Sequence, residues 1–427
     1  MRRIVEFIRS GYGFNWGLVA VALCLPLYRG LSTYLIGITA VFWLFKDDFG
    51  YRFISAFKNR YFLLFLCFYI LHIFSYFLSI DKIVAGIDLE TKLSLIVFPF
   101  LFFSGEALDM DVYKKIARAF VFGCLIAIVF CVVFAFKNSF NNPYADGKFN
   151  ISIFYDTVNL PWWKLILNSY SYFNYVVYSY FMHPSYFALY LTFAAFIVSS
   201  SSLWYSFESV RGKIFSKLIV AVLILNIFIL QSRAGLIALF IYLIWIMIGS
   251  TLRKTQIIMA LSGLILIFVL LLFSGRFELI SSKINVLSRH QIKESNIRVS
   301  IWQEAIDLIQ KKPIFGYSIG DARETMVDVY KVKGIEEAMK EHLNVHNDFL
   351  EIGVKLGLVG LLILLLILVY PFFAVSTRDS IYLFFFLIIG IHFLFESMLE
   401  RFAGVSFFAF FYCFINSGMK IITRKGS

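Results

Sequence analysis

Charge is what this chain has least of. Of its 427 residues only 15% are Asp, Glu, Lys or Arg, where a soluble domain has about a quarter. That scarcity excludes a soluble enzyme, a disordered chain and a nucleic-acid module. Cysteine is almost as uninformative. Cys24, Cys67, Cys124, Cys131 and Cys413 all lie inside apolar runs, so no disulfide framework is expected. A cleavable signal peptide is not expected either. Arg2, Arg3 and Arg9 precede the first apolar run, but no small-residue cleavage site follows and a second run comes at once. No internal repeat or low-complexity tract is found.

Apolar residues fill the space: 60% of the chain is hydrophobic, 51 residues are Phe, and the mean hydropathy is +0.81. A helical span needs about 20 apolar residues. Runs fall at 14–28, 31–45, 61–80, 93–104, 116–136, 185–203, 214–231, 234–250, 256–274, 348–372, 380–398 and 402–419. The fourth is short and carries Pro99. The expectation is an all-α polytopic membrane protein of about twelve transmembrane helices, forming one integral membrane domain over 1–427.

The net charge of +12 is read as topology, with Lys and Arg retained on the cytoplasmic side of each span. Lys46, Arg52, Lys58 and Arg60, then Lys114, Lys115 and Arg118, then Arg211, Lys213 and Lys217, then Arg253 and Lys254, Arg378, and Lys420, Arg424 and Lys425 all agree with one orientation. Both termini are assigned to the cytoplasm. Two longer segments then face outward. Residues 137–184 are rich in Tyr, Trp and Asn, suited to stacking on sugars or to the headgroup belt. Residues 275–347 hold eleven Lys/Arg and ten Asp/Glu, and a loop that long carries structure or function of its own.

The second loop reads in three pieces. From Asn296 a helix is predicted with Trp302, Ala305, Ile306 and Ile309 on one face, with Arg298 at its start and Pro313 at its end. Pro313-Ile-Phe-Gly316-Tyr-Ser-Ile-Gly320-Asp321 follows. Its glycines permit close backbone approach to a ligand, or make a plain turn. The third piece places His346 at the outer mouth of a membrane helix. A His there suits a general base, or is merely interfacial. His342 lies four residues earlier, a spacing that puts two ligands on one helical face, but no third ligand is evident and no metal site is expected. Arg233, between two apolar runs, is either a snorkelling cation or a forked clamp for an anion. Glu396, Glu400 and Arg401 crowd the last outer turn, where Arg401 and a carboxylate suit a structural pair. His183 opens the sixth run from outside, while His72 and His392 are expected to pack inside the bundle.

Together these pieces resemble the O-antigen ligase and polymerase superfamily. His346-Asn347, nine residues, then Gly357-Leu-Val-Gly360 is similar to the His-polar-x9-Gly-x2-Gly signature that ends the ligases' large periplasmic loop. Ser232-Arg233-Ala-Gly resembles the family's Ser-Arg element. Arg298 with Trp302 and Pro313-Ile-Phe-Gly316 resembles its Arg-x3-Trp…Pro-x-x-Gly stretch, and Glu396 to Gly404 its acidic turn. The order agrees over roughly 230–410, while the N-terminal half matches only in being hydrophobic.

The resemblance implies an integral-membrane glycosyltransferase of the type C kind in the bacterial inner membrane, with its active site periplasmic. It implies transfer of a glycan from undecaprenyl diphosphate to a sugar hydroxyl of the lipid A core, with no cofactor and no metal. His346 would be the base, Arg233 and Arg298 would steady the diphosphate, and Asn347, Ser232, Gly316 and Arg401 would line the substrate site. Besides donor and acceptor the expected partners are membrane lipids, not nucleic acid. An O-antigen polymerase or a protein O-oligosaccharyltransferase would use the same donor. A lipid-linked glycan flippase or transporter would more often show repeated halves and broken helices.

Overall fold

The computed structural model describes residues 6–7, 9–105, 108–167, 170–200, 203–204, 209–248, 287–374 and 380–425. The fold is all-α. Among the described residues there is no strand, only one isolated bridge between Ser152 and Ser171. Among the described residues four helices are long and apolar enough to cross a membrane: Arg60–Leu78, Met110–Phe140, Val210–Leu230 and Asp348–Ala374. Six shorter apolar helices accompany them. Apart from 256–274, which lies outside the described residues, every predicted run falls on a helix.

The chain forms two compact units. The first comprises 1–123, 200–205 and 297–427. It opens with α1 (Tyr12–Cys24), α2 (Arg29–Phe45), α3 (Phe49–Phe57) and α4 (Arg60–Leu78). Buried Arg52, expected only to mark the cytoplasmic side, closes the end of α2: its guanidinium donates to the carbonyls of Trp43, Lys46 and Asp47. Those carbonyls have no helical partner of their own. The α4 start is fixed by Asn59, whose side chain accepts from the N–H groups of Tyr61 and Phe62.

α5 (Lys82–Lys92) and α6 (Ser94–Phe103) are joined by Leu93 alone, itself in helical conformation. The fourth apolar run is therefore the second half of a longer helical path. Its first half is polar and carries Asp88 and Lys92. At 1.5 Å per residue, α6 alone spans about 15 Å, half a bilayer core. α7 (Met110–Phe140) begins in this unit.

The second unit comprises 124–199 and 206–296. In it the aromatic segment after α7 forms short helices α8 (Trp162–Leu167) and α9 (Tyr175–Tyr178). It is tied by polar side chains: the Asn142 amide donates to the carbonyls of Asn150 and Ser152 at 3.0 and 2.7 Å. Trp162 and Trp163 stay exposed. α10 (Pro184–Ser199), α11 (Val210–Leu230) and α12 (Arg233–Ile248) pack as a bundle of three.

The chain re-enters the first unit along α13 (Leu287–Lys311). α14 (Ala322–Val332) and α15 (Glu336–Lys340) follow, and then α16 (Asp348–Ala374), α17 (Ser380–Phe395) and α18 (Phe402–Lys425). The described part of the long loop is mainly helical and shares a core with the helix that follows it. Ile297, Ile301, Ala305 and Leu308 of α13, Met326 and Tyr330 of α14, Ala338 of α15 and Val354 of α16 share one core. The buried face of α13 is rotated from the predicted one, with Leu308 inside and Ile306 44% exposed. α13 stops at Lys311, just before Pro313, as a residue without an N–H requires.

Candidate active site

α16 is broken at Gly357, where the backbone takes φ 65° and ψ −163°. The carbonyls of Val354 and Lys355 lose their helical partners and accept instead from the N–H groups of Tyr317 and Ser318, at 2.8 and 3.0 Å. The N–H groups of Leu358 and Val359 donate in turn to the carbonyls of Pro313 and Ile314, at 2.6 and 3.4 Å. The Pro313–Ser318 loop thus fills the break and satisfies all four groups. No side chain fits there. A Cβ on Gly316 would stand 2.4 Å from the Val354 carbonyl oxygen, and one on Gly357 2.3 Å from that of Ile314.

The same loop is fastened to the end of α4. Ile319 and Gly320 N–H donate to the hydroxyls of Ser75 and Ser79, and the Asp321 carboxylate accepts from Ile80 and Asp81 N–H. Partial burial would raise the Asp321 pKa. Its hydrogen bonds to Asp81 and Ile80 N–H and to the Ser318 hydroxyl, with the Lys82 charge, prevail and hold it below the usual carboxylate range. The close approach expected of Gly316 is therefore made to this protein's own backbone, which gives the residue a scaffold role irrespective of substrate.

Before the break, three elements meet at the N-terminal end of α16. His346 has φ 53°, a left-handed conformation uncommon outside glycine. Its ring is one-quarter exposed, with Nδ1 3.7 Å from a Glu396 carboxylate oxygen. Arg298 on α13 donates to the Phe395 carbonyl at 3.3 Å, one residue before Glu396. Trp302, one turn along α13, donates to the Val345 carbonyl at 2.9 Å. Asn347 caps α16: its side-chain oxygen accepts from Leu350 N–H, and its amide donates to the Leu394 carbonyl. Arg298, His346 and Glu396 thus converge on one turn, with Asn347 as a bracket between the two chain segments.

The other expected residues each sit within their own unit. Arg233 opens α12 in the second unit and is exposed. Ser232 caps that helix, accepting from Gly235 N–H at 3.2 Å and donating to the Ser185 hydroxyl at 3.1 Å. Arg401 is exposed. His342 is exposed with φ 47°, so no helix runs from it to His346 and the two do not share a helical face. His183 lies edge-on to Tyr175 and Tyr186. His72 and His392 are fully buried, each with Nδ1 against the carbonyl four residues back, as expected of packed residues. Among the described residues no group of three His, Cys, Asp or Glu is placed to hold a metal.

Sequence reasoning missed a buried charge cluster beneath the site. Lys92 and Lys355 are fully or almost fully buried. Lys92 lies 2.6 Å from Asp88 and 3.1 Å from Glu400; Lys355 lies 2.9 Å from Asp88, 3.8 Å from Glu351 and in contact with Glu400. Burial would raise the Glu400 pKa, but the two ammonium groups outweigh it and hold the carboxyl below its ordinary value. Asp348 accepts from Met398 and Leu399 N–H, both at 2.9 Å. The local signal was Asp348, Glu351 and Lys355 inside a run otherwise read as membrane helix.

No curated protein matches the chain. Residues 218–365, about a third of its length, match the family model described as O-antigen ligase, so over that stretch the chain is similar to the O-antigen ligase superfamily.

Proposed function

We propose that this membrane protein transfers a glycan from undecaprenyl diphosphate to a sugar hydroxyl of the lipid A core, on the periplasmic face of the inner membrane. The family match supports activity of the O-antigen ligase or polymerase type. The observation that carries the finer reading is the convergence of His346, whose ring is one-quarter exposed, with Glu396 and Arg298 at the N-terminal end of α16. His346 takes the proton of the acceptor hydroxyl as that oxygen attacks the anomeric carbon. The bond from that carbon to the diphosphate oxygen breaks, and the diphosphate leaves with the electron pair. Glu396 steadies the imidazolium that forms. Arg298, fixed by one N–H on Phe395, turns its remaining donors to the growing charge. This chemistry asks for no metal or cofactor. Arg233 is assigned to diphosphate on the resemblance of its Ser-Arg element, and is tested separately.

Deletion of the gene followed by gel analysis of lipopolysaccharide tests the reaction. A core without glycan, with long polyprenyl-linked chains accumulating, is the expected result. A single repeat unit still attached to the core would instead indicate a polymerase. With purified protein, His346→Ala is expected to lower transfer about 10²- to 10⁴-fold, while His342→Ala stays near wild type. Normal transfer by well-expressed His346→Ala protein would overturn the assignment. A reporter fused after residue 310 is expected to be active only outside the cytoplasmic membrane, and one after Lys420 only inside.

A further inference from the structure

Asp348, Glu351 and Lys355 are spaced three and four apart at the N-terminal end of α16, so they share one helical face. All three are buried. Asp348 holds the turn at Met398 and Leu399, and Lys355 is committed to the charge cluster. Glu351 divides its two oxygens. One faces Lys355 at 3.8 Å. The other accepts from Val345 N–H at 3.1 Å and from the Ser397 hydroxyl at 3.5 Å.

Val345 is the residue before His346, and Ser397 is the residue after Glu396. A single carboxylate oxygen therefore pins the chain next to each member of the His346–Glu396 pair. His346 needs such a pin, because its left-handed backbone persists only where its surroundings over-determine it. We infer that Glu351 is a positioning residue that sets the separation of His346 and Glu396. It touches neither imidazole nor substrate; it acts through Val345 and Ser397.

Only a carboxylate meets these demands, since it accepts on both oxygens. A Gln at 351 presents one oxygen and one NH2. With its oxygen toward Val345, its NH2 faces the Lys355 ammonium. With its oxygen toward Lys355, its NH2 faces Val345 N–H, donor against donor. Glu351→Gln thus keeps the shape of the side chain and either loses the pin or keeps it only with its NH2 turned to the Lys355 ammonium, so Ser397→Ala is read beside it.

The inference rests on the reading of His346 as the base, so its test has a readout that needs no transfer activity. Full-length protein is labelled with ¹⁵N at its six histidines and held at one fixed pH. The His346 imidazole signal is assigned as the one that His346→Gln removes. Glu396→Gln is expected to move that signal, and Glu351→Gln to move it in the same direction. Ser397→Ala removes only the link to the turn; it is expected to move the signal less, and serves where Glu351→Gln folds poorly. Glu336→Gln, in an exposed pair with Lys340, is the control. A His346 signal unmoved by both Glu351→Gln and Ser397→Ala overturns the inference, as does one unmoved by Glu396→Gln.

In the transfer assay Glu351→Gln is expected to lower kcat about tenfold and leave KM within about twofold, because misplacement of a base is felt in the transition state rather than in binding. A wild-type protein without transfer activity would refute the proposed function while the spectra still decide the role of Glu351.

Discussion

Lys355→Met is the sharpest test of the charge cluster. Met has nearly the length of the Lys stem, and volume-conserving swaps cost less than about 1.5 kcal/mol. What is lost is the ammonium, which faces Asp88 at 2.9 Å, Glu351 at 3.8 Å and Glu400 in contact. Lys92 alone then remains against those three carboxylates. Removing one partner of a buried ion pair costs about 3–5 kcal/mol, chiefly because the other is left uncompensated. Lys355→Met is therefore expected to destabilise by at least about 3 kcal/mol. The reasoning makes a second demand. Asp88→Asn removes one of the two carboxylates that both lysines touch, so the double variant should lose less than the two single losses combined, by about 1 kcal/mol or more. Reversible unfolding of purified protein in mixed micelles measures the cycle. High salt should scarcely weaken the wild type, since buried pairs are poorly screened. Additive losses, or a Lys355→Met protein as stable as wild type, would refute the account.

Arg298→Lys and Arg233→Lys keep charge and lose the fork, and each is expected to lower transfer more than tenfold, measured with chelator present, if paired hydrogen bonds grip diphosphate; full activity of Arg233→Lys would make it a snorkelling residue. Gly357→Ala must adopt a conformation essentially confined to glycine and meet the Ile314 carbonyl. A loss of about 3 kcal/mol or more in micelle unfolding is expected, while Gly390→Ala, with open space around it, is tolerated. Asp321 has a depressed pKa in the folded protein, so its stabilisation is full above the ordinary carboxylate value of about 4 and fades as pH falls through the lower folded value. Unfolding measured from pH 7 to pH 3 should show Asp321→Asn weaker at neutral pH and converging on wild type in acid.

The helices were legible because lipid demands long apolar runs, and those runs need no knowledge of partners. The helix at 82–92 was not legible, since Asp88 and Lys92 keep it out of the apolar runs. Their charges are tolerated because Lys355 and Glu400 meet them, and those partners lie more than 260 residues away along the chain. Nothing local to either segment announces the pairing. Arg52 was read as topology alone, and its local duty as a donor to the carbonyls of Trp43, Lys46 and Asp47, five to nine residues back, went unread. The rotated face of α13 has another cause. Ile306 and Leu308 are equally apolar, and only the position of α14 decides which is covered.

At the site, residue types were easier to read than their duties. His346, Arg298 and the acidic turn were all visible in the sequence, and the fold gathers them. The glycines invited a ligand because close backbone approach is what glycine permits; the approach is made by a loop of the same chain to the broken helix. That exchange gives the His-polar-x9-Gly spacing a physical meaning. The nine residues 348–356 make two and a half turns, about 13 Å of helix. They hold Asp348, Glu351 and Lys355 against the turn at 397–400, while Asn347 caps one end and the inserted loop closes the other. One residue more or fewer would rotate that face by about 100° relative to the break. The spacing is therefore the distance and the rotation between a fixed hinge in the scaffold and the side chain proposed to move the proton.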